Sequence, residues 1–168
     1  MAVESDSKAK TNQKPKAQEQ DKAAENRAFF IKQLYVKSLD FDVNTPLHVL
    51  QKEWKPDAKL DLDVSHTPYA DGNYGIELKI MINVTIENKQ IFNIKMTHGG
   101  LFQMSGYNGE EMARLVNSFC PNIIFPYARQ VVSQITTQAG FPPLNLAPVD
   151  FEARFQMMLQ QAKEKNKS

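Results

Sequence analysis

One cysteine, Cys120, stands among 168 residues. A lone thiol excludes an internal disulfide and suits a reducing compartment. No stretch approaches the roughly 20 apolar residues a membrane-spanning helix needs, and the N-terminus lacks the apolar core of a secretory signal. A cytoplasmic location without direct membrane insertion is expected. An excess of one charge is missing too. The formal net charge is +1, which gives no basic surplus to point at nucleic acid as a partner. Before Phe29 there is no Leu, Ile, Phe, Tyr or Trp. Such a segment cannot bury enough apolar surface to offset its ordering entropy. Residues 1–28 are therefore expected to be a disordered tail, residues 29–162 one folded domain, and residues 163–168, with Lys163, Lys165 and Lys167, a flexible end.

Catalytic signatures are absent as well. There is no GxSxG, no P-loop and no GxGxxG. His48, His66 and His98 are scattered, without the close pairing of a zinc signature. His98, beside Gly99-Gly100, is the best candidate base for an enzyme or small-ligand pocket, although a lone histidine in a strand usually serves structure. Cys120 follows Phe119 on an apolar helix face and reads as a buried, inert thiol. Asp61 and Asp63 share the wet face of a strand, where such a pair is usually only solvated. The chain reads as no enzyme, with neither cofactor nor metal.

What is present is patterned. Phe29 to Val43 is partly alternating, with Tyr35, Lys37, Leu39 and Phe41 on one parity, and reads as a half-buried strand. Asn44-Thr-Pro46 punctuates it. Leu60, Leu62 and Val64 alternate with Asp61 and Asp63. Asp71-Gly72-Asn73 signals a turn. Ile76, Leu78, Ile80, Ile82, Val84 and Ile86 then occupy every second position, the mark of a long antiparallel strand with one buried face. Asn88-Lys89 turns the chain into Phe92, Ile94 and Met96, with Gly99-Gly100 predicting a bulge or close backbone approach. Asn108 or Gly109 opens a helix with Glu110 and Glu111 in its first turn. Pro121 breaks or kinks it, Asn122 caps a second segment, and Gly140 ends it. Asp150 caps a last helix with Phe151, Phe155, Met158 and Leu159 on one face. Strands precede helices, so the class is α+β.

Two proline-interrupted apolar blocks stand out: Cys120-Pro-Asn-Ile-Ile-Phe-Pro-Tyr-Ala-Arg129 and Gly140-Phe-Pro-Pro-Leu-Asn-Leu-Ala-Pro148. The first predicts a kink packed in the core, with Arg129 holding a polar contact. The second carries no charge, although connections normally cross the wet surface. It predicts an exposed greasy wall for a partner.

With Gly99-Gly100-Leu-Phe102, Lys59-Leu-Asp-Leu-Asp63 and His48-Val-Leu-Gln-Lys52, these blocks resemble the bacterial protein-export chaperone family SecB over roughly Phe29 to Gln161. The resemblance implies a four-stranded antiparallel sheet with two main helices, assembled as a homotetramer, a dimer of dimers. It implies ATP-independent binding of unfolded preproteins, held export-competent and delivered to the motor SecA. A chaperone of the same family serving another client, such as a toxin–antitoxin partner, is the alternative. The client-binding positions implied are Leu60, Leu62, Phe141, Leu144, Leu146, Phe155 and Leu159. For SecA docking the family uses an acidic sheet surface. Asp42 keeps one acid and Asp40 stands in for another, whereas Ser38 and Lys95 occupy positions where well-studied members carry acids.

Overall fold

A computed structural model describes residues 26–44 and 53–165. Residues 1–25 of the tail expected over 1–28, the Asn44–Pro46 turn beyond Asn44, the His48–Lys52 match and residues 166–168 lie outside the described residues. Four strands, β1 (Ala28–Val43), β2 (Asp57–Pro68), β3 (Asn73–Ile86) and β4 (Lys89–Ser105), precede the helices. They form one antiparallel sheet in the order β1-β4-β3-β2, so β1 and β2 are its edges. Helix α1 (Gly109–Arg114), a π-helical turn (Leu115–Phe119) and α2 (Cys120–Gln138) follow without interruption as one rod, and α3 (Phe151–Lys165) closes the chain. The α+β class stands. The N-terminal boundary moves: Arg27 pairs with Glu111 and Ala28 already pairs with Ser105, so the fold begins ahead of Phe29. At the other end α3 runs on to Lys165, past residue 162.

The alternation in β3 sets the core. Ile76, Leu78, Ile80, Ile82 and Val84 are at most 1% exposed, each worth about 1.5–3 kcal/mol of burial. Their partners on β4 include Phe92, Ile94 and Met96, and Leu60, Leu62 and Val64 continue the face on β2. The β3–β4 turn uses Glu87 and Asn88, both at positive φ, between paired Ile86 and Lys89. This is the primed two-residue turn that matches strand twist; it sits one residue earlier than Asn88-Lys89.

Strand β1 departs from simple alternation. Its register slips between Ile31 and Gln33 and again between Val36 and Ser38. Each slip lets one extra residue reverse the parity. Leu34, Leu39 and Phe41 therefore share the helix face, opposite Gly100, Met96 and Ile94, while Tyr35 faces the other way. The expected grouping of Tyr35 with Leu39 and Phe41 is overturned by these two bulges. The glycine pair lies between them. A Cβ on Gly99 would come within 2.5 Å of the Tyr35 ring, so the close approach at this glycine is made by a side chain rather than by backbone.

Pro121 neither ends the rod nor starts a new capped helix, and Asn122 is not an N-cap. In the π turn the Cys120 N–H reaches back to the Leu115 carbonyl, five residues away. This widened turn accommodates the ring that would clash with the carbonyl four residues earlier. Asn117 donates its side-chain amide to the Ala113 carbonyl at 2.8 Å.

Candidate functional site

The apolar stripe on α3 decides where that helix lies. Asp150 caps it by accepting the Ala153 N–H at 2.9 Å. Phe151 and Phe155, one turn apart, turn inward and are 0% and 5% exposed. Met157 and Met158 stay outside at 54% and 47%. Between α3 and edge strand β2 lies a cavity of about 310 Å³, lined by Asp63, Val64, Phe155, Met157, Met158 and neighbours. Arg154 crosses this cleft and donates from Nη2 to the Leu62 carbonyl at 2.8 Å. Bidentate pairing of Arg114 with Glu152, at 2.7 and 3.0 Å, ties α3 to the rod. The guanidinium, with Gln156 and Ser118, draws the Glu152 carboxyl down to about 2.

The uncharged crossover is anchored at its start. Gly140, at φ 84, stops α2. The Gly140 N–H bonds the Thr137 carbonyl and the Phe141 N–H the Thr136 carbonyl, both at 3.0 Å. That pair is a Schellman closure, with Phe141 as its apolar member. The Phe141 ring lies 4.8 Å from Phe92 and 5.5 Å from Trp54. Buried Thr136 accepts the Leu144 N–H at 3.0 Å. The expected exposed wall therefore needs correction. Phe141 and Leu146 are 5% and 6% exposed and belong to the core, whereas Pro142, Pro143, Ala147 and Pro148 reach solvent.

Of the other expected contact residues, Leu60, Leu62, Leu144 and Leu159 are half-buried and Phe155 is buried. The structure places Phe155 at the β2–α3 cavity and Phe141 in the aromatic cluster with Trp54. Leu60 and Leu62 lie on the helix face of β2.

The opposite face of the sheet carries no helix among the described residues. Asp40 and Asp42 are exposed there, paired across the ladder with Lys95 and Asn93. Lys79, opposite Asp63, adds a second central lysine. The acids thus sit on the two flanks with lysines between them.

The remaining candidates are enclosed. His98 is 4% exposed, its ring centroid 6.4 Å from that of Tyr127. Burial holds its pKa below the usual 6.5, against a backbone hydrogen bond involving Gly99 that pulls the other way. Burial pushes the Cys120 thiol up to about 12, which leaves no thiolate at neutral pH. Neither group is placed to begin a reaction on a solvent-borne substrate. Arg129 makes no hydrogen bond from its buried Nε among the described residues. Phe119 and Tyr127 on the same rod are 49% and 50% exposed. Among the described residues no group of three or more His, Cys, Asp or Glu side chains could hold a metal. No described helix is long and apolar enough to cross a membrane.

Residues 22–162 match the family model SecB, described as preprotein translocase subunit SecB. The chain belongs to the SecB family. In structure it is similar to the Mycobacterium tuberculosis Rv1957 SecB-like chaperone, solved in complex with a ChAD peptide from the Rv1956 HigA1 antitoxin. That likeness has a TM-score of 0.61 at 13% identity and covers 77% of this chain and 94% of that one. It supports the SecB fold. A Streptococcus agalactiae protein of unknown function, with a TM-score of 0.39 at 11% identity over 73% of this chain and 98% of that one, is too loosely similar to bear on fold or function. SecB is a chaperone family. The four-stranded sheet and its helices agree with that membership.

Site residues that sequence reasoning passed over are Val64, Met157, Arg154 and Trp54. Met157 falls off the i, i+4 stripe, and Arg154 reads as a solvated charge. Trp54 ends Leu47 to Trp54, a stretch too short and ambiguous in sequence to assign. The approach of α3 to β2 gives Val64, Met157 and Arg154 a common surface, while Trp54 packs on Phe141.

Proposed function

We propose that this SecB-family chain is an ATP-independent holdase for unfolded preproteins, which it passes to SecA. The observation that carries the reading is the cleft between edge strand β2 and α3, with Met157 and Met158 left half in water beside buried Phe151 and Phe155. Flexible thioethers adapt to varied apolar side chains, and an exposed apolar patch beside a strand edge suits an extended segment of another chain. Leu60, Leu62, Leu144 and Leu159 supply the accessible contacts. Phe155 lines the cleft, and buried Phe141 and Leu146 seat the crossover in the core. A client that folds buries its apolar segments and is lost from the surface, so selection needs no nucleotide. Several such clefts on one long client convert modest affinity into tight capture. Assembly as a tetramer from two dimers would supply them. Apolar Ile31, Val36 and Val43, all above 40% exposed on edge strand β1, and Phe119 and Tyr127 on the rod, are the surfaces suited to it.

SecA docking is assigned to Asp40 and Asp42 on the open face. Lys95 opposite Asp40 weakens a purely acidic match, because interface charges govern steering and salt sensitivity. A SecB-like chaperone for a toxin–antitoxin client is the second reading. It is favoured by that lysine and by the similarity to Rv1957. Mixing the purified protein with a slowly folding preprotein, without ATP, is expected to delay folding. No delay from an intact oligomer overturns the holdase reading. Clients recovered from cells decide between preproteins and an antitoxin. Loss of SecA affinity in Asp42→Lys, with client capture retained, tests the docking assignment.

A further inference from the structure

We infer that Arg154 is a latch on the free edge of β2, and that it determines when the backbone of a captured segment can pair with that strand. The inference rests on the holdase reading of the β2–α3 cleft and concerns how that cleft is gated.

A residue in a strand points its own N–H and C=O to the same side, and successive residues alternate. The Leu62 carbonyl receives Arg154, so it points away from β3. By alternation Leu60 and Val64 also turn their backbone groups outward, while Asp61 and Asp63 turn theirs to β3. The outward set is the same set whose side chains continue the apolar helix face. An extended segment laid along β2 would therefore meet a row of donors and acceptors spaced about 6.6–6.8 Å apart. It would have Met157 and Met158 at its flank.

An unpaired edge of this kind is a template for indiscriminate strand addition, and proteins blunt such edges with long cationic side chains. Among the described residues, Arg154 is the one side chain that bonds the outer edge of β2. It comes from α3 between Phe151 and Phe155, the two rings that hold the helix in place. Its guanidinium offers further donors beyond the one used, and the side chain is exposed, free to swing into solvent. At rest the latch occupies the middle carbonyl of the row. A segment that enters by its side chains alone leaves it closed. A segment that pairs by its backbone must displace it.

The test uses the full chain, wild type and Arg154→Met, with two synthetic probes. One is a dodecapeptide alternating leucine and serine with lysine ends. The other is the same peptide N-methylated at alternate residues, prepared in both phases. Arg154 is exposed and bonds a single strand atom, so the variant is expected to unfold as the wild type does. Arg154→Met is expected to tighten the unmethylated peptide by about three- to tenfold, the scale of one hydrogen bond released from competition. The peptide methylated in the pairing phase is expected to bind both proteins alike. Equal gains for all probes would mean that the cleft had merely widened, and would overturn the latch. No gain for any probe would overturn it too, and in both cases capture by the cleft would stand. Failure of both proteins to bind any probe would overturn capture by the cleft, and the latch with it.

Discussion

Cys120–Arg129 and Gly140–Pro148 carry similar residues to opposite ends. Both are apolar and both contain two or more prolines. The first is absorbed into a helix, because the π turn widens the backbone ahead of Pro121 and Pro126 falls on an exposed side. The second stays irregular, because Pro142 and Pro143 follow a glycine at positive φ that has already closed the helix. The difference teaches that proline alone does not decide conformation. What decides is whether the preceding turn can relocate the carbonyl that the ring would strike. Each block is held by buried residues, among them Cys120, Ile124 and Phe125 in the first and Phe141 and Leu146 in the second.

The strongest way to break the comparison is to remove a buried residue of the second block. Phe141→Ala is expected to cost about 3–5 kcal/mol in urea unfolding, whereas Pro143→Ala at an exposed position is expected to change stability by less than about 1 kcal/mol. A small loss for Phe141→Ala would mean that the crossover is not docked. In the first block, Cys120→Ser replaces a buried thiol 4.0 Å from the Met104 sulfur by a more strongly hydrated hydroxyl. A loss of about 1–3 kcal/mol is expected, again by urea unfolding. The smallest effect concerns His98, packed beside Tyr127 of the first block. Its folded pKa lies below the unfolded value near 6.5, so the unfolded chain binds the extra proton. Its contribution is complete above that value and is lost as the pH falls through the window beneath it. Comparing unfolding at pH 7.5 and pH 5, His98→Gln is expected to show a shallower loss than wild type. Identical slopes would mean that His98 is not held neutral.

Much of the fold was legible because period two in β3 and the stripe at Phe151, Phe155 and Leu159 are local signals. The bulges in β1 were not. They depend on which β4 residue lies opposite, and two parity reversals within eight residues look like noise in a single sequence. The continuous rod was misread for a related reason: a π turn has no signature beyond the proline it precedes. Leu60, Leu62 and Phe155 came from the family match; Phe155 lines the β2–α3 cleft, and Leu60 and Leu62 lie on the helix face of β2. Phe141 and Leu146 were read as exposed because an uncharged loop has two explanations, and only the Phe92 ring beneath it reveals the core one. Arg154 could not be recognised, since its partner is a carbonyl 92 residues away.

The single tryptophan has a consequence of another kind. Trp54 is the only indole in the chain, and its ring leans on Phe141 where the crossover leaves the rod. Its fluorescence therefore reports on that joint alone. Undocking of the crossover would move the emission to longer wavelength as the indole meets water, with no label added. The molecule carries its own optical gauge, mounted beside the segment that covers the Phe92 ring.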